Sequence, residues 1–296
     1  VAVRVERPEI VAAAGELATV VAESADEIEA RGRLPELIVD HLTDAGLYAL
    51  YRPAAMGGPE VDPISAFMAI EHLAQADGSV AWCAHVSSGN SYQLATLSPD
   101  VVAAMGHPPH AARRFAGSNR PLGRARRVEG GYLVDGRWDF ASNCLQADWY
   151  CAACVDEEGG RHRVRGLFIP MADCEVLDTW KVAGLRGTGS HDVVVRGVFV
   201  PDEHVASGRN LSAAAEAGTL YTQRLTLIVN WILTAAVALG IARGALDAFA
   251  QLSDRGTAHG VDRPLRERAE VQGAIGRATA VLGAARSYCL HACADV

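Results

Sequence analysis

The chain has 296 residues, half of them hydrophobic, which is enough apolar material for two or three domains with their own cores. A formal net charge of −8 with no run of Lys or Arg argues against nucleic-acid binding. No N-terminal apolar stretch resembles a signal peptide, and seven cysteines without a disulfide framework fit a reducing cytosol.

Pro8 to Arg31 reads as a first helix, with Ile10, Val11, Ala14, Leu17 and Val21 on one face. Leu34-Pro35-Glu36 opens a second, which Gly46 ends. Asp62 before Pro63 is an N-cap signal for a third. Asp77-Gly78 interrupts it, and Ser79 to Leu97 resumes the helical pattern. Ser98-Pro99 starts a further short helix, and Arg113-Arg114 and Arg124 to Arg127 read as surface charge.

From Gly130 to Pro201 the composition changes. Tyr132 to Val134, Arg137 to Phe140, Trp149 to Val155, Val164 to Ile169 and Asp192 to Val200 have strand length and strand composition. Gly130-Gly131, Asp135-Gly136, Glu158-Gly159-Gly160 and Arg196-Gly197 mark turns, and Asp135-Gly136 predicts a hairpin. Cys151 and Cys154 form a lone C-x-x-C that strand alternation sends to opposite faces. Core packing explains them better than a metal site or redox pair, because no second pair or histidine partner follows.

Past an Ala-rich stretch at Leu211 to Gly218, Tyr221 to Ser253 reads as one long helix. Its Leu225 to Ala242 segment is nearly long enough to span a membrane, but Asn230 and the lack of early basic flanks predict a bundle helix buried all round. Pro264 opens a last helix with Val271, Ile275, Ala278, Leu282, Ala285 and Cys289 at bundle-seam spacing. Two helices cannot cover both apolar faces, so a homodimer or homotetramer is expected. The expected class is α+β: an N-terminal helical domain over 1–114, a middle β domain over 115–206 and a C-terminal helical domain over 207–296.

The run AGLYALYRPAAMGGPE…AIEHLAQADGSVAW, followed by GRWDFAS, KVAGLRGTGSHDV and VFVP, resembles the ordered signatures of the acyl-CoA dehydrogenase superfamily over nearly the whole chain. The resemblance implies that superfamily's fold: a helical domain, a middle β-barrel or sandwich, then a four-helix bundle. Only two of the four bundle helices are expected here, as in a truncated or reduced member. WDFASNC and GLRGTGS look closest to the two-component flavin monooxygenases, which include oxygenase components for 4-hydroxyphenylacetate and dibenzothiophene and the amino-sugar nitrososynthases. Asn143 stands where that branch has Gly. The dehydrogenases' Tyr-Ala-x-x-Arg-x-Gln-Phe-Gly segment is replaced by LSDRGTAHGVDRP. The long helix offers only Asp247 and Asp254 as bases for removing a proton alpha to a thioester.

The resemblance implies an oxygenase component that takes reduced FMN or FAD from a separate flavin reductase. Through a C4a-hydroperoxyflavin it would oxygenate an aromatic or natural-product small molecule in the cytoplasm. An acyl-CoA dehydrogenase-like oxidoreductase and a flavin-free binding or assembly subunit stay open as other readings. Ser142, two residues after Phe140, is the expected partner near flavin N5, where a hydrogen bond slows peroxide loss; the plainer alternative is a strand-end serine bonding its own backbone. Trp82, Ser118 and Phe140 are expected along the flavin, and Thr188, Gly189 and Ser190 around its phosphate or ring. His85 is the candidate base for a phenol, with Asn90 beside the substrate. His72 and His191 are weaker candidates, while His107, His110 and His162 read as loop residues. No metal, membrane or nucleic-acid partner is expected, and without a dinucleotide G-x-G-x-x-G the NADH falls to the reductase.

Overall fold

The computed structural model describes residues 5–106, 114–156, 163–206, 219–222, 226–255 and 264–294. Arg113, His107, His110, His162, the Glu158-Gly159-Gly160 turn, the Ala-rich stretch and the side chains of Asn230 and Asp254 lie outside the described residues.

Among the described residues, six helices come first: α1 (Pro8–Glu23), α2 (Ala25–Arg31), α3 (Glu36–Asp44), α4 (Pro63–Ala76), α5 (Gly78–Tyr92) and α6 (Pro99–Ala104). The single helix expected over Pro8 to Arg31 breaks at Ser24, whose hydroxyl donates to the Val20 carbonyl at 2.9 Å and competes with the backbone ladder. Asp62 Oδ1 caps α4 by accepting from the Ser65 N–H at 2.9 Å, with Pro63 in the first turn as expected. Asp77 ends α4 and caps α5, accepting from the N–H groups of Ser79 and Val80 at 2.8 and 3.0 Å. One carboxylate thus turns the chain between two helices. α5 stops at Tyr92 rather than Leu97, because Ser91 and Thr96 bond carbonyls three residues back and Gln93–Thr96 tightens into a 3-10 turn.

Seven described strands follow: β1 (Phe115–Val128), β2 (Gly131–Ala141), β3 (Trp149–Asp156), β4 (Arg163–Pro170), β5 (Glu175–Leu177), β6 (His191–Pro201) and β7 (Val205–Ala206). Their order in the sheet is β5-β6-β2-β1-β3-β4-β7. β1 and β3 pair parallel, and every other described pair is antiparallel. β4 and β6 touch although β2, β1 and β3 lie between them, so the sheet curls around a core built on Trp138, Tyr150, Ile169 and Val193. A second core joins Phe115, Trp149 and Phe168 to Leu94, Leu97 and Met105 from the helical region. Cys154 packs in the first core and Cys151 in the second, as alternation predicts, and all seven cysteines are free.

The hairpin expected at Asp135-Gly136 does not form. β2 runs straight through it as a bulge: its pairing with β6 slips between Val134 and Gly136, and Asp135 Oδ1 accepts the Gly197 N–H at 2.8 Å. Gly123 and Gly136 are glycines because the buried Trp138 ring fills the space where either Cβ would sit. Arg196-Gly197, expected as a turn, sits inside β6 opposite the same bulge. β1, which the composition did not mark, is 14 residues long.

α7 (Thr219–Thr222), α8 (Thr226–Arg255) and α9 (Ala269–Ala294) close the described chain; Pro264 precedes a 3-10 turn rather than α9 itself. α8 approaches α4 closely, since a Cβ at Gly240 or Gly244 would strike backbone at Glu71 or Gln75. Arg286 Nε ties α9 to the Glu71 carboxylate at 2.7 and 2.8 Å. Of the expected α9 seam, Leu282 is buried, Val271, Ile275 and Cys289 are half-buried, and Ala278 and Ala285 are exposed. α8 is not buried all round as expected. Ile232, Leu233, Ala236 and Val237 are covered by the helical core, but Trp231 is 69% exposed, because α4, α5 and α9 pack along one side only. Trp231–Ser253 is long and apolar enough to cross a membrane by length and composition, yet its packed side is that of a bundle helix.

Candidate active site

β2 ends at Ala141; Phe140 just before it and Asn143 two residues after it take left-handed backbone with φ of 57° and 67°. Such conformations cost a non-glycine residue about 1 kcal/mol or more and persist only where neighbours hold them. Asn143 is fully buried and held twice: its N–H donates to the Thr188 carbonyl at 2.9 Å, and Nδ2 donates to the Phe115 carbonyl at 3.0 Å. This turn carries Ser142, which is buried.

Opposite it, Arg186–Thr188 forms a 3-10 turn that ends in left-handed Gly189. The Thr188 and Gly189 N–H groups are already taken by the Leu185 and Arg186 carbonyls, both at 3.2 Å. The segment therefore meets Ser142 through hydroxyls, not through those N–H groups.

A continuous hydrogen-bonded chain results. Trp82 Nε1 on α5 donates to Ser142 Oγ at 2.8 Å. Ser142 Oγ lies 2.7 Å from Ser190 Oγ, which lies 2.6 Å from Thr188 Oγ1. Thr188 Oγ1 donates to the Leu185 carbonyl at 2.9 Å. Trp82, Ser142, Thr188 and Ser190, spread over more than a hundred residues of sequence, are thus brought together. Among the described contacts, no carboxylate touches this chain; Asp247 instead accepts from Gln75 Nε2 at 2.7 Å on the surface.

His85 follows Trp82 on α5, with the two rings edge to face at 5.2 Å between centroids. Its Nε2 lies 3.1 Å from Thr234 Oγ1 on α8, and its buried Nδ1 has no hydrogen-bond partner. Burial pushes His85 down to about 4, so the ring is neutral near pH 7. Because this lies below the ordinary value of about 6.5, the unfolded chain binds more protons between those limits and stability falls as the pH drops through them. The expected loss from pH 7 to pH 4 is about 1–3 kcal/mol from this group. Urea unfolding across that range should show a flatter slope for His85→Gln, and an identical slope would remove His85 as its source.

The remaining candidates are more dispersed. Phe140 is 63% exposed and packs edge to face on Trp180 at 6.0 Å, a partner that composition did not reveal. Trp180 borders a cleft of about 470 Å³ with Arg31, Leu145, Lys181, Arg186 and His191. Each of its three cations has an acidic partner: Lys181 with Asp178, Arg31 with Glu27 and Arg186 with Glu29. His191 Nδ1 accepts the N–H groups of Thr179 and Trp180 at 3.1 and 3.2 Å, which places the proton of the neutral ring on Nε2. Gly189 accepts from Cys144 Sγ at 3.2 Å. Ser118 Oγ accepts the Arg120 N–H at 3.2 Å, and Asn90 Nδ2 donates to the Val86 carbonyl at 2.9 Å; neither joins the hydroxyl chain. Among the described residues, no group of His, Cys, Asp or Glu could hold a metal ion.

Comparison with known proteins bears on this site. Residues 8–100 match the acyl-CoA dehydrogenase N-terminal domain family and residues 232–296 the C-terminal domain family. The indole-3-acetate monooxygenase of Pseudomonas putida is 31% identical over 89% of this chain and 69% of its own length. The chain belongs to the acyl-CoA dehydrogenase family, in its flavin-dependent monooxygenase branch. The oxygenase subunit HsaA of Rhodococcus jostii is also 31% identical, over 77% of the chain, but the match spans only 61% of that relative's length. The Streptomyces structure of XiaF, solved with FADH2 and glycerol, superposes with a TM-score of 0.87 at 24% identity, covering 98% of this chain and 74% of XiaF. An acyl-CoA dehydrogenase fold is thereby shown for the helix–sheet–helix order. Within this family segment, the left-handed backbone at Asn143 explains the departure from Gly: Asn is among the side chains that tolerate that conformation.

Proposed function

We propose that this chain is the oxygenase component of a two-component flavin-dependent monooxygenase that uses reduced FMN or FAD and oxygen on an aromatic small molecule. The observation that carries the reading is the buried Ser142 hydroxyl, fixed by Trp82 and Ser190 in the turn that follows the exposed Phe140, whose ring packs on half-buried Trp180. These residues fit a flavin: Ser142 offers an oxygen to ring N5, and the exposed Phe140 ring, braced edge to face by Trp180, offers it an apolar face. When bound, the flavin supplies the oxygen-activating chemistry. The protein positions the ring and excludes water. His85, the proposed base for a phenol, is neutral near pH 7, and because its burial disfavours the protonated ring it accepts a phenolic proton only where the phenolate formed beside it offsets that cost. A separate flavin reductase is the partner that such a component requires. A cytoplasmic location is supported by seven free cysteines, and the three-part division at 114/115 and 206/207 by the extent of the sheet from Phe115 to Ala206.

Equilibrium binding of both redox forms of FMN and FAD tests the reading. Reduced flavin should bind more tightly than oxidised flavin, and supplying it with oxygen and a phenol or indole should give hydroxylated product. Tight oxidised FAD that an acyl-CoA reduces would establish a dehydrogenase instead, and no flavin binding at all would favour an assembly subunit.

Self-association is part of the same proposal. Trp231, Val281 and Tyr288 on α8 and α9 are 69%, 70% and 77% exposed, which supports packing of these faces against another chain. Light scattering at micromolar concentration should report a dimer or tetramer, and a monodisperse monomer would contradict it.

A further inference from the structure

The hydroxyl chain has a direction. Leu185 ends it with a carbonyl, which can only accept, and Trp82 begins it with an indole N–H, which can only donate. Each hydroxyl between them has one proton. The Leu185 carbonyl accepts three donors, of which the Thr188 hydroxyl at 2.9 Å is the shortest, beside the Thr188 N–H and Trp180 Nε1 at 3.2 Å. With the Thr188 proton in that bond, the 2.6 Å contact has Ser190 donating to Thr188. Ser190 has then no proton left for Ser142, so the 2.7 Å contact requires Ser142 to donate to Ser190. The Ser142 proton is therefore committed inside the protein. Of the two Ser142 lone pairs, the Trp82 N–H takes one and the other has no described partner.

We infer that Trp82, Ser142, Ser190 and Thr188 form a one-way relay that presents Ser142 to a flavin as an acceptor only, and so selects the reduced ring over the oxidised one. The inference rests on the flavin reading above. The two forms of the isoalloxazine differ at N5: the oxidised ring has a lone pair and no hydrogen there, whereas the two-electron-reduced ring carries N5–H. A committed Ser142 receives N5–H without rearrangement. Toward oxidised N5 it turns a lone pair against a lone pair, unless the Ser142–Ser190 bond is broken to free its proton. Leaving one such buried group unpaired is what separates the two affinities. Ser190 and Thr188 act through Ser142 and are positioning residues.

The test compares dissociation constants for oxidised and reduced flavin in the purified protein and in Ser190→Ala and Thr188→Val. Ser190→Ala removes the acceptor of the Ser142 proton, whereas Thr188→Val removes the acceptor of the Ser190 proton and lets Ser190 donate to Ser142; either way the Ser142 proton becomes available. Oxidised flavin should then bind about 2- to 10-fold more tightly while reduced flavin changes little, so the preference for the reduced form shrinks by that factor. The midpoint potential of the bound flavin should fall in step. Ser190→Thr, which keeps the hydroxyl, should retain the wild-type preference. A purely structural role for Ser190 would weaken both forms together and leave preference and potential unchanged, which would overturn the relay. Thr188→Val leaves Ser142 and Ser190 in place and reads the same quantity should Ser190→Ala fold poorly. If the wild-type protein shows no preference for reduced flavin, the monooxygenase reading fails and the relay with it. If the preference exists but neither variant alters it, only the relay fails.

Discussion

Ser142→Ala should consume oxygen with reduced flavin yet release mostly hydrogen peroxide, with the yield of hydroxylated product falling by about tenfold or more. The Ser142 oxygen is the one described polar atom of the β2-end turn that Trp82 and Ser190 both hold. Holding the N5 proton opposes peroxide loss, so its removal should damage coupling far more than binding. Flavin affinity should fall only by the worth of one neutral hydrogen bond, about 0.5–1.5 kcal/mol. The variant also loses stability: Ser142 is buried and its removal strands the Trp82 N–H, which costs about 1–3 kcal/mol. Oxygen uptake, peroxide and product measured together in the folded variant decide the point. Unchanged coupling would reduce Ser142 to a structural serine.

The largest stability effect should come from Trp138→Ala. Trp138 is fully buried at the centre of the curled sheet, its ring lies against Gly123 and Gly136, and it packs on Tyr150 at 5.5 Å. Its indole N–H donates to the Ala153 carbonyl at 3.0 Å. Truncation leaves a cavity that two glycines cannot fill and an unpaired carbonyl, for a loss of about 3–5 kcal/mol. Thermal or urea unfolding followed through the sheet should show it. A loss below about 1 kcal/mol would mean that the sheet collapses around the gap.

The starts of α3, α4 and α6 and most strands were legible in local chemistry, whereas the break at Ser24 and the 3-10 turn after Pro264 were not. Asp62-Pro63, Asp77-Gly78 and Ser98-Pro99 each carry a side-chain acceptor directly before the N–H groups it must cap, so three or four residues suffice to define the signal. β3, β4 and β6 lie close to where β-branched and aromatic runs placed them. β1 was not legible. FAGSNRPLGRARRV holds Pro121 and four arginines, and it is a strand because β2 and β3 pair with it on both sides. Asp135-Gly136 misled for the converse reason: its glycine serves the Trp138 ring packed across it, not a turn.

The family segments WDFASNC and GLRGTGS were enough to single out Ser142, Thr188 and Ser190, and the Ala-Asp-Gly-Ser run to single out Trp82 and His85. What those residues do to one another was decided by tertiary structure alone. The direction of the hydroxyl chain depends on the Leu185 carbonyl, a backbone group that no residue type announces. Trp180 joined the site only because its loop folds back on Phe140, and Thr234 only because α8 packs against α5, 149 residues away from His85 in sequence. Local sequence specifies caps and periodicity because those interactions span a few residues. The partners of a buried hydroxyl or imidazole are set by which distant segments pack together, and that is a property of the whole fold.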